Sequence, residues 1–262
     1  MTIDPELQSA HAALVQQFDA VNGAQSNDNN VLASIGSQLA MLKVMLTERD
    51  ILYPQQSDVQ QHKDALVLTR EVLEIGALWS IRVQDTSSFD RYWSQLKPFY
   101  LDLVHALPLS KNYEPIVGLS LLRSLSSNSI ASFHIALESL PMELVRDSPY
   151  IQHPVLLERW LMEGSYSNVW RERENVPLEE YRFFVNILMV TIRHEIASCE
   201  EKAYDTLPLN DVATLLFLDS LPEVLEFAKE RGWHVNPTNQ MIEFANKAVE
   251  TTSCLLYTSD AA

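Results

Sequence analysis

The order of helical and extended periods between residues 154 and 245 constrains the fold of this chain more than any other feature. Apolar residues recur at helical spacing up to Gly164, and a second apolar stripe begins at once with Tyr166, Val169 and Trp170. Glycine adopts a left-handed backbone without steric cost, so Gly164 is predicted to end the first helix in that conformation. The pattern predicts an αα-hairpin, the unit of helical-repeat proteins, although two ordinary core helices would show the same spacing.

The period then changes twice. One long helix is predicted over residues 176–203, and a short extended piece follows at residues 207–209. Asn210 is a good N-cap residue, and it is predicted to open a helix that ends near residue 218.

The next stretch completes this arrangement. Ser220 and Glu223 have the spacing of a capping box and predict the start of another helix, which Gly232 ends. Residues 233–235 and 241–244 alternate in polarity as the two strands of a hairpin do. Helix, short strand, helix, helix and hairpin is the order of a winged helix.

Apolar spacing in the first half predicts a run of antiparallel helix pairs. Asp4 is predicted to cap the first helix, with Pro5 at its first position. Five more helices are predicted, at about residues 31–46, 58–83 and 89–107 and on either side of residues 126–128, the last ending at Pro141. No strict period of about 34 residues is present, so the repeats are irregular. The predicted fold class is all-α with a small β-hairpin: an α-solenoid of TPR-like helix pairs that ends in a winged helix.

Charge and cysteine usage exclude several classes of function. The net charge of the 262 residues is −16, which would repel phosphate backbones and anionic membranes, and protein partners are therefore predicted. Residues 195–245 contain ten acidic and three basic residues, whereas a helix that reads a DNA groove needs Lys and Arg. Cys199 and Cys254 are the two cysteines, which suits a reducing compartment.

The predicted compartment is the cytoplasm and nucleus. The residues after Met1 show neither the basic nor the apolar region of a secretory signal. No apolar run is expected to approach the ~20 residues that cross a bilayer.

One stretch approaches a catalytic motif. Residues 194–198 read His-Glu-Ile-Ala-Ser, and Ser198 stands where the zincin motif has its second histidine. A metal-dependent hydrolase built on His194 and Glu195 is therefore only a remote alternative. The seven histidines are dispersed, and no phosphate-binding loop or nucleophile elbow is present. No cofactor, metal or small-molecule substrate is predicted.

Four segments carry a resemblance to the PCI-domain family. They are YIQHPVLLERWLMEGSYSNVW at residues 150–170, SFHIALESLP at 132–141, IRHEIASCEEKAY at 192–204 and FAKERGW at 227–233. PCI domains are scaffold modules of the proteasome lid, the signalosome and translation initiation factor three, and the similarity here is to the small PCI subunits of the lid. The resemblance implies a non-catalytic scaffold subunit that acts in lid assembly and lid–base joining for ubiquitin-dependent degradation. Its partners would be other PCI-domain lid subunits. A PCI subunit of the signalosome or of initiation factor three is the alternative.

The resemblance also implies a division of the chain. Residues 1–75 are predicted to form an N-terminal helical region and residues 76–250 the PCI domain, with helical hairpins to about 198 and a winged helix at about 199–245. Residues 253–262 have neither a period nor a cap and are predicted to be a non-native tail. The amphipathic C-terminal helix of the family is not expected in this chain.

The edge of the hairpin is the predicted interaction site. Most large aromatic residues nearby are predicted to lie in the core, namely Trp160, Trp170, Phe183 and Phe184. Trp233 is the expected exception, because it begins a hairpin whose outer edge must be paired or protected. Neighbouring winged helices of PCI proteins associate side by side through such edges. The predicted interaction residues are Trp233, Val235, Ile242 and Phe244.

Overall fold

The structure is a computed structural model, and it describes residues 5–24, 29–49, 51–52, 62–104, 106–218, 220–236 and 239–244. Within these ranges the chain forms twelve helices and three strands. In order they are α1 (Pro5–Ala24), α2 (Asn29–Glu48), α3 (Lys63–Arg82), α4 (Thr86–Leu101), α5 (Tyr113–Ser126), α6 (Ile130–Glu138), α7 (Met142–Asp147), α8 (Pro149–Met162), α9 (Tyr166–Glu172), α10 (Glu179–Ala203), β1 (Thr206–Pro208), α11 (Leu209–Leu215), α12 (Leu221–Arg231), β2 (His234–Asn236) and β3 (Met241–Glu243). The predicted fold class, all-α with a small β-hairpin, is confirmed.

The chain divides into two compact units within α10. The first unit is Met1–Leu188 and the second is Met189–Ala262. The first contains helices α1 to α9, and the second contains the end of α10, α11, α12 and the sheet. The domain bounds expected from the sequence, at residues 75 and 198, stay a prediction.

Helix pairing in the first unit is only partly sequential. α3 packs chiefly against α4, as an αα-hairpin does, whereas α5 packs chiefly against α8. The intervening α6 is short, and only Phe133 of its side chains is buried. α7 was not predicted, because its six residues are too few to show a helical period. The repeats are therefore irregular, as the sequence indicated.

Three glycines allow helices of the first unit to approach closely. A Cβ atom on any of them would collide with an aromatic side chain: Gly36 with Trp79, Gly76 with Tyr92, and Gly118 with Tyr181. At Gly118 the Cβ atom would also collide with the backbone carbonyl of Tyr150. These positions need glycine for space, which periodicity of apolar residues does not reveal.

A buried polar network joins α3 to the segment between α4 and α5. The carboxylate of Glu74, 1% exposed, accepts hydrogen bonds from Tyr100 (3.0 Å), Ser110 (2.7 Å) and Asn112 (3.2 Å). Arg70 lies 3.5 Å from the same carboxylate and donates to the carbonyl of Pro108 at 2.6 Å. Burial raises the pKa of Glu74, although these contacts oppose the rise. The network replaces the water that these groups lose, and so fixes the path of the connecting segment.

The helical hairpin around Gly164 is confirmed. Gly164 has φ +69°, and the N–H of Ser165 donates to the carbonyl of Trp160 at 2.8 Å while the N–H of Gly164 donates to that of Leu161 at 3.1 Å. This pair of hydrogen bonds is a Schellman motif, which satisfies carbonyls at the end of α8.

Replacing Gly164 by valine is expected to lower the free energy of unfolding by ~1 kcal/mol or more, because a β-branched residue is strained in the left-handed region. No atom lies within 4 Å of the added Cβ, so the effect would come from the backbone alone. Gly164→Asn is the matched control, since asparagine tolerates positive φ and should cost less. Chemical denaturation measures both, and equal midpoints for valine, asparagine and glycine would contradict this assignment.

Several predicted boundaries shift. α3 begins at Lys63, after His62, whose φ of −122° and ψ of 23° lie outside the helical region. Its predicted start near residue 58 lies outside the described residues. α10 begins at Glu179, three residues later than predicted. The predicted cap of the first helix, Asp4, lies outside the described residues. The predicted non-native tail, residues 253–262, lies outside them as well.

Of the two predicted caps in the winged helix, Asn210 is wrong, and Ser220 is confirmed in position but not in its hydrogen bond. α11 begins at Leu209 rather than after Asn210, because Leu209 comes directly from β1 and donates its N–H to the carbonyl of Gln240 at 2.9 Å. Ser220 does occupy the N-cap position of α12, but its side chain accepts no hydrogen bond there. Pro222 lies in the first turn and has no N–H, which removes one of the donors that a capping side chain uses.

The second unit closes around a three-stranded antiparallel sheet with the order β1-β3-β2. Leu207 of β1 and Val235 of β2 both pair with Ile242 of β3. The core beneath this sheet is formed by buried residues of α10, β1, α11, α12 and β3 and of the turns beside them, while Val235 of β2 packs against it partly buried. The buried residues are Ala197, Leu207, Val212, Leu216, Val224, Ala228, Trp233 and Ile242. The predicted winged helix is therefore present, and its extended piece is β1.

One expectation about membranes needs correction. The stretch Asn30–Glu48 of α2 has a mean hydropathy of 1.2 and is long and apolar enough, by length and composition alone, to cross a membrane. Its most buried side chains, however, recur at helical spacing and include Leu32, Ile35 and Leu39, at 4%, 0% and 0% exposure. A stripe of this kind is typical of a core helix, and α2 packs against α1 and α3.

Candidate functional site

A second left-handed glycine sets the start of the hairpin in the winged helix. Gly232 has φ +72° and ends α12, and the N–H of Trp233 donates to the carbonyl of Ala228 at 2.8 Å. This contact turns the chain back so that Trp233 lies over the end of the helix. The predicted end of α12 at Gly232 is confirmed.

The four predicted interaction residues lie together at the core of the second unit. Trp233 is 8% exposed and Ile242 is fully buried, while Val235 and Phe244 are partly buried and pack against the same cluster. The indole of Trp233 meets the ring of Phe244 edge to face, with centroids 5.0 Å apart, and that of Phe227 at 5.6 Å. The expectation that Trp233 is an exception to the core is therefore wrong, because Gly232 turns it inward.

The backbone of β2 is the part of this hairpin that could reach a partner. Since the strand order is β1-β3-β2, the side of β2 away from β3 pairs with no strand in the part of the chain that the structure describes. His234 and Glu243 are paired across the strands and exposed, while Val235 and Ile242 pair on the buried face. An edge of this kind can bind another strand or helix through its backbone. The side chains of β2 meanwhile pack against the core and hold the strand in place. That it binds protein stays a prediction.

Arg231 holds the end of α10 to the end of α12. Its guanidinium donates to the hydroxyl of Ser198 at 2.9 Å and to the carbonyl of His194, and it lies 3.9 Å from the carboxylate of Glu201. Glu201 in turn accepts a hydrogen bond from the indole N–H of Trp233 at 2.7 Å. The segment that resembles a zinc motif is therefore part of a structural network.

The contacts of residues 194–198 show whether this segment could bind a metal ion. The hydroxyl of Ser198 donates to the carbonyl of His194 at 2.8 Å, and the His194 ring lies 5.3 Å from that of Phe227. Within the residues that the structure describes, no group of three or more His, Cys, Asp or Glu side chains could hold a metal ion.

The exposed face of α12 is acidic and apolar. Glu223, Glu226 and Glu230 are exposed, and Leu221 and Leu225 are 48% and 38% exposed. A winged helix that binds DNA places basic side chains on this helix, facing phosphates. The composition of α12 opposes contact with nucleic acid and suits contact with protein.

Glu200 is an unusual charge in this unit. It is 4% exposed, and neither carboxylate oxygen accepts a hydrogen bond from any residue that the structure describes. Burial, assisted by the neighbouring charge of Glu201, raises the pKa of Glu200 to about 7. The folded chain therefore favours the protonated form, and ionisation of Glu200 opposes folding.

Replacing Glu200 by glutamine is expected to stabilise the protein in a pH-dependent manner. Because the folded pKa of about 7 lies above the ordinary value of 4.5, the wild-type chain loses stability as the pH rises between those values. The variant should therefore gain about 3 kcal/mol at pH 8 and almost nothing near pH 4.5. Urea denaturation across this range measures the difference, with Glu226→Gln at an exposed position as the control. A gain that does not change with pH would contradict the prediction.

Sequence reasoning did not find Arg231 or Glu200. Residues 195–245 contain ten acidic residues and only three basic ones, of which Arg231 is one. A rare basic residue in an acidic segment is a candidate for ion pairing within the fold, and this was the available signal. Glu200 stands three residues after Ala197, and Ala197 lies in the core cluster, so helical spacing places both on the buried side of α10. Only the structure shows that the carboxylate is buried without a hydrogen-bond donor among the described residues.

Comparison with known proteins agrees with this architecture. The model of the CSN8/PSMD8/EIF3K family matches residues 111–253, which include the helices from α5 onward and the winged helix. The chain is similar to the Arabidopsis thaliana 26S proteasome non-ATPase regulatory subunit 8 homolog A, with 35% identity over 96% of this chain and 91% of that protein.

Two fungal proteins show a similar relation. The 26S proteasome regulatory subunit RPN12 of Saccharomyces cerevisiae is 34% identical over 85% of this chain and 82% of its own length. The protein of the same description from Schizosaccharomyces pombe is 38% identical over 76% of this chain and 71% of its own length. The chain therefore belongs to the CSN8/PSMD8/EIF3K family.

Proposed function

We propose that this chain is a non-catalytic scaffold subunit of the 26S proteasome regulatory particle, acting in lid assembly and in joining lid to base for ubiquitin-dependent degradation. The observation that carries the proposal is the similarity, at 34–38% identity, to plant and fungal proteins named as 26S proteasome regulatory subunits. The similarity covers most of both chains, so it includes both units of the structure.

A scaffold role fits the chemistry of the described residues. Ser198 and Arg231 bond to each other and to the backbone of α10, which supports a structural rather than catalytic role for the stretch around His194 and Glu195. The net charge of −16 and the acidic face of α12 favour protein partners over nucleic acid or anionic membranes. Other PCI-domain subunits of the lid are the proposed partners, and the cytoplasm and nucleus are the proposed location.

A PCI subunit of the signalosome or of translation initiation factor three is the second candidate. The name of the matching family covers all three kinds of subunit, whereas the full-length similarity is to proteasome subunits. That difference favours the proteasome.

Affinity purification of the tagged full chain from its own cells, followed by mass spectrometry, tests the proposal. The expected result is recovery of the regulatory particle in near-stoichiometric amounts. Recovery of signalosome or initiation factor three subunits instead would transfer the chain to the second candidate. Recovery of neither kind of assembly would contradict a scaffold role.

The open edge of β2 offers a sharper test of the interaction site. Replacing Val235 by proline removes a backbone donor from this strand, so recovery of neighbouring subunits is expected to fall several-fold. Val235→Thr is the matched control, because it keeps both the N–H and the β-branched shape. Circular dichroism and denaturation midpoints check that the variant folds. Unchanged recovery with a folded proline variant would show that the edge is dispensable, and the prediction for Trp233, Val235, Ile242 and Phe244 would fail.

A further inference from the structure

A cleft of about 540 Å³ lies in the first unit, remote in sequence from the winged helix. It is walled by α2, α3 and α4, and its lining includes Lys43, Trp79, Arg91 and Tyr92. Its volume is within the range of pockets that hold small molecules or a few residues of peptide. The function proposed above makes no use of this cleft.

The charge of the cleft is opposite to that of the chain. Among the described residues, two cations, Lys43 and Arg91, contribute to the lining and no carboxylate does, although the whole chain carries a net charge of −16. Among the residues that the structure describes, neither cation has a carboxylate within salt-bridge distance. A positive site on an acidic surface selects one small anionic group, because longer polyanions would meet the surrounding negative charge.

The ammonium group of Lys43 is positioned in the cleft where it could bind an anionic group. Its ammonium lies 3.6 Å above the centroid of the Tyr92 ring, a cation–π contact that fixes the side chain in the cleft. Burial, together with the charge of Arg91, lowers the pKa of Lys43 to about 8. The two cations therefore repel one another, and an anion placed between them would relieve that repulsion.

The guanidinium of Arg91 has N–H groups that the contact with Ser88 does not use. One N–H group of its guanidinium donates to the hydroxyl of Ser88 at 2.7 Å, and Ser88 donates in turn to Asp85, the N-cap of α4. A guanidinium carries five N–H donors in a planar fork that matches a carboxylate. The contact with Ser88 orients this fork without using most of it.

We propose that the cleft between α2, α3 and α4 binds a carboxylate-bearing segment of another protein, with Lys43 and Arg91 as its charged contacts. The aromatic wall formed by Trp79 and Tyr92 suits the apolar stem of a glutamate side chain beside its carboxylate. The proposal does not rest on the assignment of this chain to the proteasome, since it is argued from the first unit alone.

Nuclear magnetic resonance titration of the full chain tests the proposal, with the tripeptide N-acetyl-Ala-Glu-Ala-amide, which carries a single carboxylate, as the probe. Saturable shifts of the Lys43 and Arg91 side-chain signals are expected, and the glutamine tripeptide should bind at least tenfold more weakly. Lys43→Met and Arg91→Met should each weaken binding at least tenfold, and Lys43→Arg should retain most of it. Lys97→Met is the matched control, because Lys97 is exposed on the same α4 but outside the lining.

Four outcomes would overturn the proposal. They are the absence of saturable shifts, equal binding of the glutamine tripeptide, equal loss in Lys97→Met, and binding of inorganic phosphate in place of the peptide. Arg91 is exposed, so its variant is expected to fold even if Lys43→Met does not, and thermal denaturation checks both.

Discussion

Replacing Gly118 by valine is expected to lower the free energy of unfolding by about 3 kcal/mol or more, since overpacking of a closed core has costs of this order. Gly118 lies in α5, where α8 and the start of α10 approach it. The hydroxyl of Tyr181 shares its proton between the carbonyls of Pro115 at 3.0 Å and Tyr150 at 3.2 Å. The Tyr181 hydroxyl and the Tyr150 carbonyl occupy the space that any side chain at residue 118 would need. Neither the helix nor the bonded tyrosine can shift without losing those contacts.

Chemical denaturation of Gly118→Ala, Gly118→Val and the double variant Gly118→Ala with Tyr181→Phe separates the two obstacles. Removing the hydroxyl should recover only part of the loss, because the backbone carbonyl of Tyr150 still meets the added Cβ. Ser127→Val, at an exposed position just after α5, is the surface control. A midpoint for Gly118→Val equal to that of the wild type would refute the close approach of α5 and α8.

The buried network around Glu74 is the second place where a single change should have a large effect. Glu74→Ala would leave the guanidinium of Arg70, 5% exposed, without its carboxylate and would remove the acceptor for Tyr100, Ser110 and Asn112. Breaking one side of a buried ion pair typically costs about 3–5 kcal/mol, and a loss of that order is expected.

A double-mutant cycle with Arg70→Met tests whether the pair itself is responsible. Removing both charges should be less damaging than Glu74→Ala alone, since no uncompensated buried charge remains. Glu71→Ala is the matched control on α3, because the side chain of Glu71 is 45% exposed, although it lies 3.3 Å from the less exposed His11. That substitution should cost no more than about 1 kcal/mol. Similar losses for Glu71→Ala and Glu74→Ala would contradict the structural role of the network.

The sequence by itself determined the elements of the winged helix and their order. The change from helical to alternating period, with Gly232 between α12 and β2, predicted the hairpin, and Gly164 predicted the turn between α8 and α9. Both glycines were identifiable because positive φ excludes most other residues, so the local sequence carries the information. The segments that resemble the PCI family pointed to the family that full-length similarity then showed.

Only the tertiary structure decided what the side chains do. Trp233 had the sequence position of an exposed hairpin residue, yet the left-handed turn at Gly232 and the hydrogen bond to Glu201 place it in the core. Asn210 and Ser220 are good capping residues, but the pairing of β1 with β3 and the missing N–H of Pro222 left them without that role. Gly118 and Glu74 depend on neighbours between 26 and 63 residues away, and the cations of the cleft depend on other helices. Local periodicity reports which face of a helix is apolar, whereas close approach, burial of charge and the shape of a cleft arise only when distant helices pack together.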